Sequence, residues 1–225
     1  MARDFQAPFT LPAGAVQLLL VRHGSSARVA GEQPGALVDG HSDPPLSDAG
    51  RRQAELVGER LAGERLSGLF VTPLRRTAET AAPLARKLGL APVVIGDLRE
   101  VHLGAWEGQL HARLAGRDPL TGEVFAAERW DVIPGAEAME AFAARVLRGI
   151  DHVADVTKPD ETAVAVVHGG VIAEACRQTT GSTPFAFLYA DNASITRLIR
   201  LPSRRWALAG FNDVGHLSAL REPVR

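Results

Sequence analysis

Short apolar runs recur along this chain, and most are followed by a stretch whose apolar residues fall at helical spacing. Leu18 to Val21 is unbroken apolar sequence and reads as a strand covered on both faces. A Gly/Pro-containing loop follows, and "LSDAGRRQAELVGERLAG" then predicts a helix with Ser47 as its N-cap and Gly63 at its end. "LSGLFVTP" predicts a strand stopped at Pro73, "LRRTAETAAPLARKLG" a helix closing on Gly89, and "APVVIGD" a third strand. Residues 101–135 break this rhythm, scattering Trp106, Phe125 and Trp130 among glycines and charges, and predict one short helix. "EAMEAFAARVLRGIDHVADV" is a long amphipathic helix, and "TAVAVVHGGVIAEACRQ" is again strand into helix. "ASITRLIRL" and "RWALAGFN" read as a hairpin at a sheet edge. Strands alternating with helices predict an α/β fold, here a three-layer α/β/α sandwich around a mainly parallel sheet of about six strands.

Composition refines this picture only slightly. The 225 residues, 46 % hydrophobic and 23 % charged, suit a single domain over residues 1–225. Its core is expected at about 16–200, with a lid loop at 29–45 and an insertion at 101–135. A formal net charge of -1 provides no global field to recruit nucleic acid or an anionic membrane, so any anion site must be local. Cys176 is the single cysteine and lies in a helical stretch, where it reads as a small buried thiol. The amino terminus lacks a continuous apolar core of signal-peptide length, and no stretch is long enough to span a bilayer. A cytoplasmic protein is therefore expected. Its edge strands would permit a homodimer.

The candidate chemistry gathers at strand ends. Two strands finish on histidine, at His23 and His168, and a third runs through Pro73 into Arg75 and Arg76 at a helix start. In a parallel sheet these ends face the same way. One edge thus collects two imidazoles, several guanidiniums and helix amino ends that attract anions. This is the chemistry of a phosphate pocket, because a guanidinium fork holds two phosphate oxygens and stays charged when desolvated. The seven histidines show no metal-ligand spacing, and neither a metal nor a cofactor is implied.

Five motifs, "LVRHG", "PLSDAG", "TPLRRTAET", "LREVHLGAWEG" and "VVHGG" in that order, resemble the histidine phosphatase superfamily. The likeness covers about residues 16–200 and points to the branch holding cofactor-dependent phosphoglycerate mutases and small bacterial phosphatases. It implies a phosphoglycerate mutase-like fold and a metal-independent, acid-type histidine phosphatase that hydrolyses a small phosphorylated metabolite through a phosphohistidine intermediate. It further implies His23 as the nucleophile, Glu100 as the acid for the leaving group, and His168 as a further donor. Arg22, Arg76 and His168 would hold the phosphoryl oxygens, with a hydroxyl from Ser26. Read without the resemblance, Glu100 is a loop carboxylate beside Arg99, and Glu107 is a competing acid close by. Arg75 reads as a solvated neighbour and His102 as a loop histidine outside the catalytic set.

The match departs from the family at Val29, where many relatives carry an asparagine six residues after the nucleophile. One phosphate contact is therefore missing or replaced. The segment "VHLGAWEGQLHARL" resembles the phosphatase version rather than the tyrosine- and lysine-bearing segment of the mutases, which favours hydrolysis. A mutase-type phosphoryl isomerase and a non-catalytic phospho-ligand binding module are the competing readings. Substrate choice would rest on the walls formed by residues 29–45 and 101–135.

Overall fold

A computed structural model describes residues 9–28, 37–116 and 118–220. Among the described residues, eight strands lie in chain order: β1 (Val16–Arg22), β2 (Leu37–Val38), β3 (His41–Ser42), β4 (Leu66–Val71), β5 (Val93–Val94), β6 (Thr162–Val167), β7 (Ile195–Arg200) and β8 (Trp206–Asp213). Six of them form one sheet in the order β5-β4-β6-β1-β7-β8. β1, β4, β5 and β6 run parallel to their neighbours in that set, while β7 is antiparallel to both β1 and β8. The predicted sheet and its antiparallel terminal hairpin are both present.

The alternation of a strand's side chains explains the layers. Leu18 and Leu20 face one way with Ala163 and Ala165, packing with Phe142, Val146 and Val171. Leu19 and Val21 face the other way with Val164 and Val166, against Val57, Leu61, Ala81 and Leu84. The first face is covered by α5 (Met139–Val156) and α6 (Gly169–Thr180), the second by α1 (Asp48–Ala62) and α2 (Arg75–Leu88). Ser47 caps α1 by accepting from Gly50 N, and Gly89 ends α2 in the left-handed region.

Two expectations are corrected. The third strand shrinks to Val93–Val94, both exposed, because it has β4 alone as a neighbour and the chain turns into a 3₁₀ turn at Gly96–Leu98. The segment expected to hold one short helix holds α3 (Leu110–Ala115) and α4 (Leu120–Ala127), besides a 3₁₀ turn at Gly104–Trp106. Trp106, Val124 and Trp130 anchor that segment in the core. Of the loop at 29–45, residues 29–36, with Val29 among them, lie outside the described residues. Its remainder forms the β2–β3 hairpin around Asp39 and Gly40, both at positive φ, as a two-residue Asp-Gly turn favours.

Candidate active site

β4, β6 and β1 are adjacent in the sheet, so their carboxyl ends bring Arg76, His168 and His23 to one edge. His23 is fixed through its backbone: its N–H donates to Val167 O (2.9 Å) and its carbonyl accepts from Asn192 Nδ2 (2.9 Å). The next residue must be small. A Cβ on Gly24 would lie 2.6 Å from Gly50 O, because the loop rests directly on the first turn of α1. Gly24 N also donates to Thr80 Oγ1 of α2 (2.9 Å), tying the loop to both helices.

The side chain of His23 is buried, with Nδ1 2.8 Å from Gly24 O. A carbonyl only accepts, so Nδ1 carries the proton and Nε2 keeps its lone pair. Arg76 Nε–H points at that Nε2 from 3.3 Å. Burial, then the charges of Arg76 and Arg22, push His23 well below the ordinary histidine range. The shift favours the neutral imidazole, whose lone pair lies at Nε2.

His168 is fully buried and sits edge-on to His23, with ring centroids 5.2 Å apart. Its Nε2 lies 2.9 Å from Thr72 Oγ1, and its Nδ1 has no partner among the described residues. Burial, followed by Arg76 and His23, holds it well below the usual range as well. Arg22 donates to Ala190 O, leaving its Nε without a partner among the described residues. Arg76 donates to Ser42 O (2.7 Å). Burial lowers the pKa of both guanidiniums, and Glu100 opposes this more than any other neighbouring acid does.

Glu100 lies in the segment between the 3₁₀ turn at Gly96–Leu98 and the one at Gly104–Trp106. Its Oε1 accepts from Val101 N (3.0 Å) and its Oε2 from Gly170 N (3.2 Å). A Cβ on Gly170 would come within 2.5 Å of Oε1, which accounts for the second glycine of "VVHGG". Arg99 pairs with Asp39 (2.7 Å) rather than with Glu100. Glu107 accepts from Ser42 N (2.7 Å) and Leu103 N (3.0 Å), so it braces the strand whose carbonyl holds Arg76. Arg75 pairs with Glu79 in solvent. His102 stacks edge-on with His41 at 5.2 Å.

Ser26 lies three residues after His23. It forms an isolated bridge with Leu46, and no hydrogen bond joins it to Arg22, His23, Arg76 or His168 among the described residues. Sequence reasoning missed Thr72, Asn192, Ser42 and Arg145, the last of which donates to Glu100 O (2.8 Å). Of these, Thr72 alone lies in one of the five motifs, "TPLRRTAET".

A layered α/β fold with histidines and arginines at adjacent strand ends defines a class of phosphoryl-transfer enzymes, and comparison with known proteins specifies which. Residues 18–214 match the model of the histidine phosphatase superfamily, branch 1, and the chain belongs to that superfamily. It is 35 % identical over 211 residues to a glucosyl-3-phosphoglycerate phosphatase of Mycobacterium tuberculosis, covering 88 % of this chain and 82 % of the relative. A metal-independent phosphoserine phosphatase of Arabidopsis thaliana is 28 % identical over 208 residues, covering 91 % and 84 %. In fold, the crystal structure of a phosphoglycerate mutase from Bacillus anthracis superposes with a TM-score of 0.76 at 21 % identity, covering 93 % of this chain and 98 % of that one.

Proposed function

We propose that this chain is a metal-independent phosphomonoester hydrolase that works through a phosphohistidine on His23. The observation that carries the reading is the Nε2 lone pair of a buried His23 beside Arg22, Arg76 and His168, whose Nδ1 has no partner among the described residues. The phosphoryl oxygens sit between the two guanidiniums. Nδ1–H of His168 donates to them when Thr72 Oγ1–H donates to its Nε2. His23 Nε2 attacks phosphorus, the N–P bond forms and the P–O bond to the alcohol breaks, while the Glu100 carboxyl passes its proton to the leaving oxygen. Water then attacks the phosphohistidine and gives a proton to the Glu100 carboxylate. The N–P bond breaks, and neutral His23 and inorganic phosphate are restored. Fixed cations that meet charge as it develops can supply much of the barrier lowering without a metal.

Small phosphorylated metabolites are the proposed substrates, in keeping with both phosphatase relatives, and a cytoplasmic enzyme is the proposed setting. The test is phosphate release from a panel including 3-phosphoglycerate and 4-nitrophenyl phosphate, with isomerised products followed in parallel. Release should be lost in His23→Ala, together with acid-labile labelling of the protein, and survive dialysis against chelator. Isomer formation with little free phosphate would make the chain a mutase. Activity near wild type in His23→Ala would overturn the mechanism.

A further inference from the structure

Arg145 lies on α5, a helix that carries none of the groups proposed to react, yet it is only 9 % exposed. A guanidinium is rarely buried so deeply unless its donors are satisfied. All five of its N–H groups find acceptors. Nε and Nη2 grip the two carboxylate oxygens of Glu137, each at 2.7 Å. Nη1 reaches Asp97 O (2.9 Å) and Arg99 O, and the second Nη2 proton reaches Glu100 O (2.8 Å). The guanidinium also stands 4.8 Å over the ring of Phe142.

The three carbonyls it holds belong to the segment that presents Glu100. Residues 100–102 belong to no helix or strand, so the carbonyls here lack a ladder to satisfy them. α5 is pressed onto this segment, since a Cβ on Gly149 would meet Leu98 Cδ2 at 2.5 Å. Glu137 completes the frame by exchanging bonds with His102, its N–H donating to His102 O (2.9 Å) and its Oε2 accepting from His102 N (3.3 Å). His41 Nε2 lies 3.0 Å from the same Glu100 O. Burial pushes Glu137 up, but the hydrogen bonds and charge of Arg145 outweigh it and hold the acid below its ordinary range.

We propose that the Arg145–Glu137 pair is a positioning bracket that sets the place of the Glu100 carboxyl, and so governs protonation of the leaving group through the backbone that presents the acid. The bracket rests on the reading of Glu100 as the acid. A site held by buried side chains tolerates little displacement, and a shift near 1 Å in a reacting group costs on the order of 10²-fold in rate. The loss should fall on the step that needs the acid.

The experiment compares turnover of 3-phosphoglycerate, an alkyl ester needing protonation, with that of 4-nitrophenyl phosphate, whose leaving group needs little. Arg145→Lys, Glu100→Gln and the double variant are measured, with thermal melting to report folding. Arg145→Lys should lower kcat on the alkyl ester at least tenfold more than on the aryl ester, with KM changing little. In the Glu100→Gln background the same substitution should add no further discrimination between the esters, since both act through one carboxyl. Glu137→Gln keeps the guanidinium and should give the same signature more weakly, and it decides the matter if Arg145→Lys does not fold. Equal losses on both esters, or fully additive discrimination in the double variant, would overturn the bracket. If Glu100→Gln itself affects both esters equally, the acid assignment fails instead, and the bracket with it.

Discussion

Arg76 aims its Nε–H at the Nε2 of His23 across 3.3 Å, so the lone pair proposed to attack phosphorus faces a fixed cation before any substrate arrives. Protonating that nitrogen would place two positive charges together in a buried site. Burial, Arg76 and Arg22, in that order, hold His23 well below 6.5. The acid limb of kcat/KM due to His23 should therefore lie well below pH 6.5 on 4-nitrophenyl phosphate. In Arg76→Gln one opposing charge is gone, so the limb should move up in pH. The rate at the optimum should fall by on the order of 10²–10³, as for loss of a transition-state donor. A wild-type limb at or above 6.5, or a variant limb that stays in place, would contradict this account.

Thr72 should control how well His168 holds phosphate. Thr77 Oγ1 donates to Leu74 O (2.7 Å) and Leu74 N donates to Thr72 Oγ1 (3.3 Å), so the Thr72 proton can turn to the shorter of its two contacts, His168 Nε2 at 2.9 Å rather than Thr77 Oγ1 at 3.1 Å. In Thr72→Val the imidazole loses the partner that favours Nδ1–H facing the pocket. A hydrogen bond to a charged group is worth about 1.5–3 kcal/mol. Inorganic phosphate as a competitive inhibitor should then bind roughly 10- to 100-fold more weakly. Inhibition unchanged in the variant would show that Thr72 does not set the tautomer.

What could be read from the sequence follows from how local its cause is. Leu18 to Val21, the Ser47 cap and the Gly89 stop are decided by neighbours in the chain, and each predicted element formed there. That His23, Arg76 and His168 meet follows from parallel strands ending together, which the strand–helix alternation already implied. Arg145 was not legible, because on α5 it is one more arginine in an amphipathic helix until folding brings it to the carbonyls of residues 97, 99 and 100. Glu107 looked like a rival acid for the same reason: nothing local shows that Ser42 N and Leu103 N occupy its oxygens. Residues 101–135 resist reading because Trp106, Val124 and Trp130 are buried without a regular period.

Two buried imidazoles should leave a mark on stability. His23 and His168 are both held well below 6.5 when folded, whereas in the unfolded chain they take up protons near 6.5. Above that pH neither state is protonated at these sites and stability is unaffected. Below it the unfolded state binds more protons, so stability should fall with pH at up to about 3 kcal/mol per unit for the pair. The melting temperature of the double variant His23→Asn/His168→Asn should accordingly fall less between pH 6.5 and 5 than that of the wild type. Parallel curves would mean that the two rings are protonated in the folded protein.

Gly170 separates the demand of the site from that of the fold. Alanine there would improve helix propensity by up to about 1 kcal/mol, since Gly170 lies within α6. Its Cβ, however, would come within 2.5 Å of Glu100 Oε1 and 3.3 Å of the carboxyl carbon. A side-chain end can swing aside, so the protein should fold, but the carboxyl would leave its place against Gly170 N. Gly170→Ala should therefore melt no lower than wild type while losing turnover of 3-phosphoglycerate by on the order of 10²-fold, as expected for a misplaced reacting group. Turnover of 4-nitrophenyl phosphate should fall far less, because its leaving group departs without the acid. Equal turnover of the alkyl ester in variant and wild type would mean that the place Glu100 holds here is not the one it acts from.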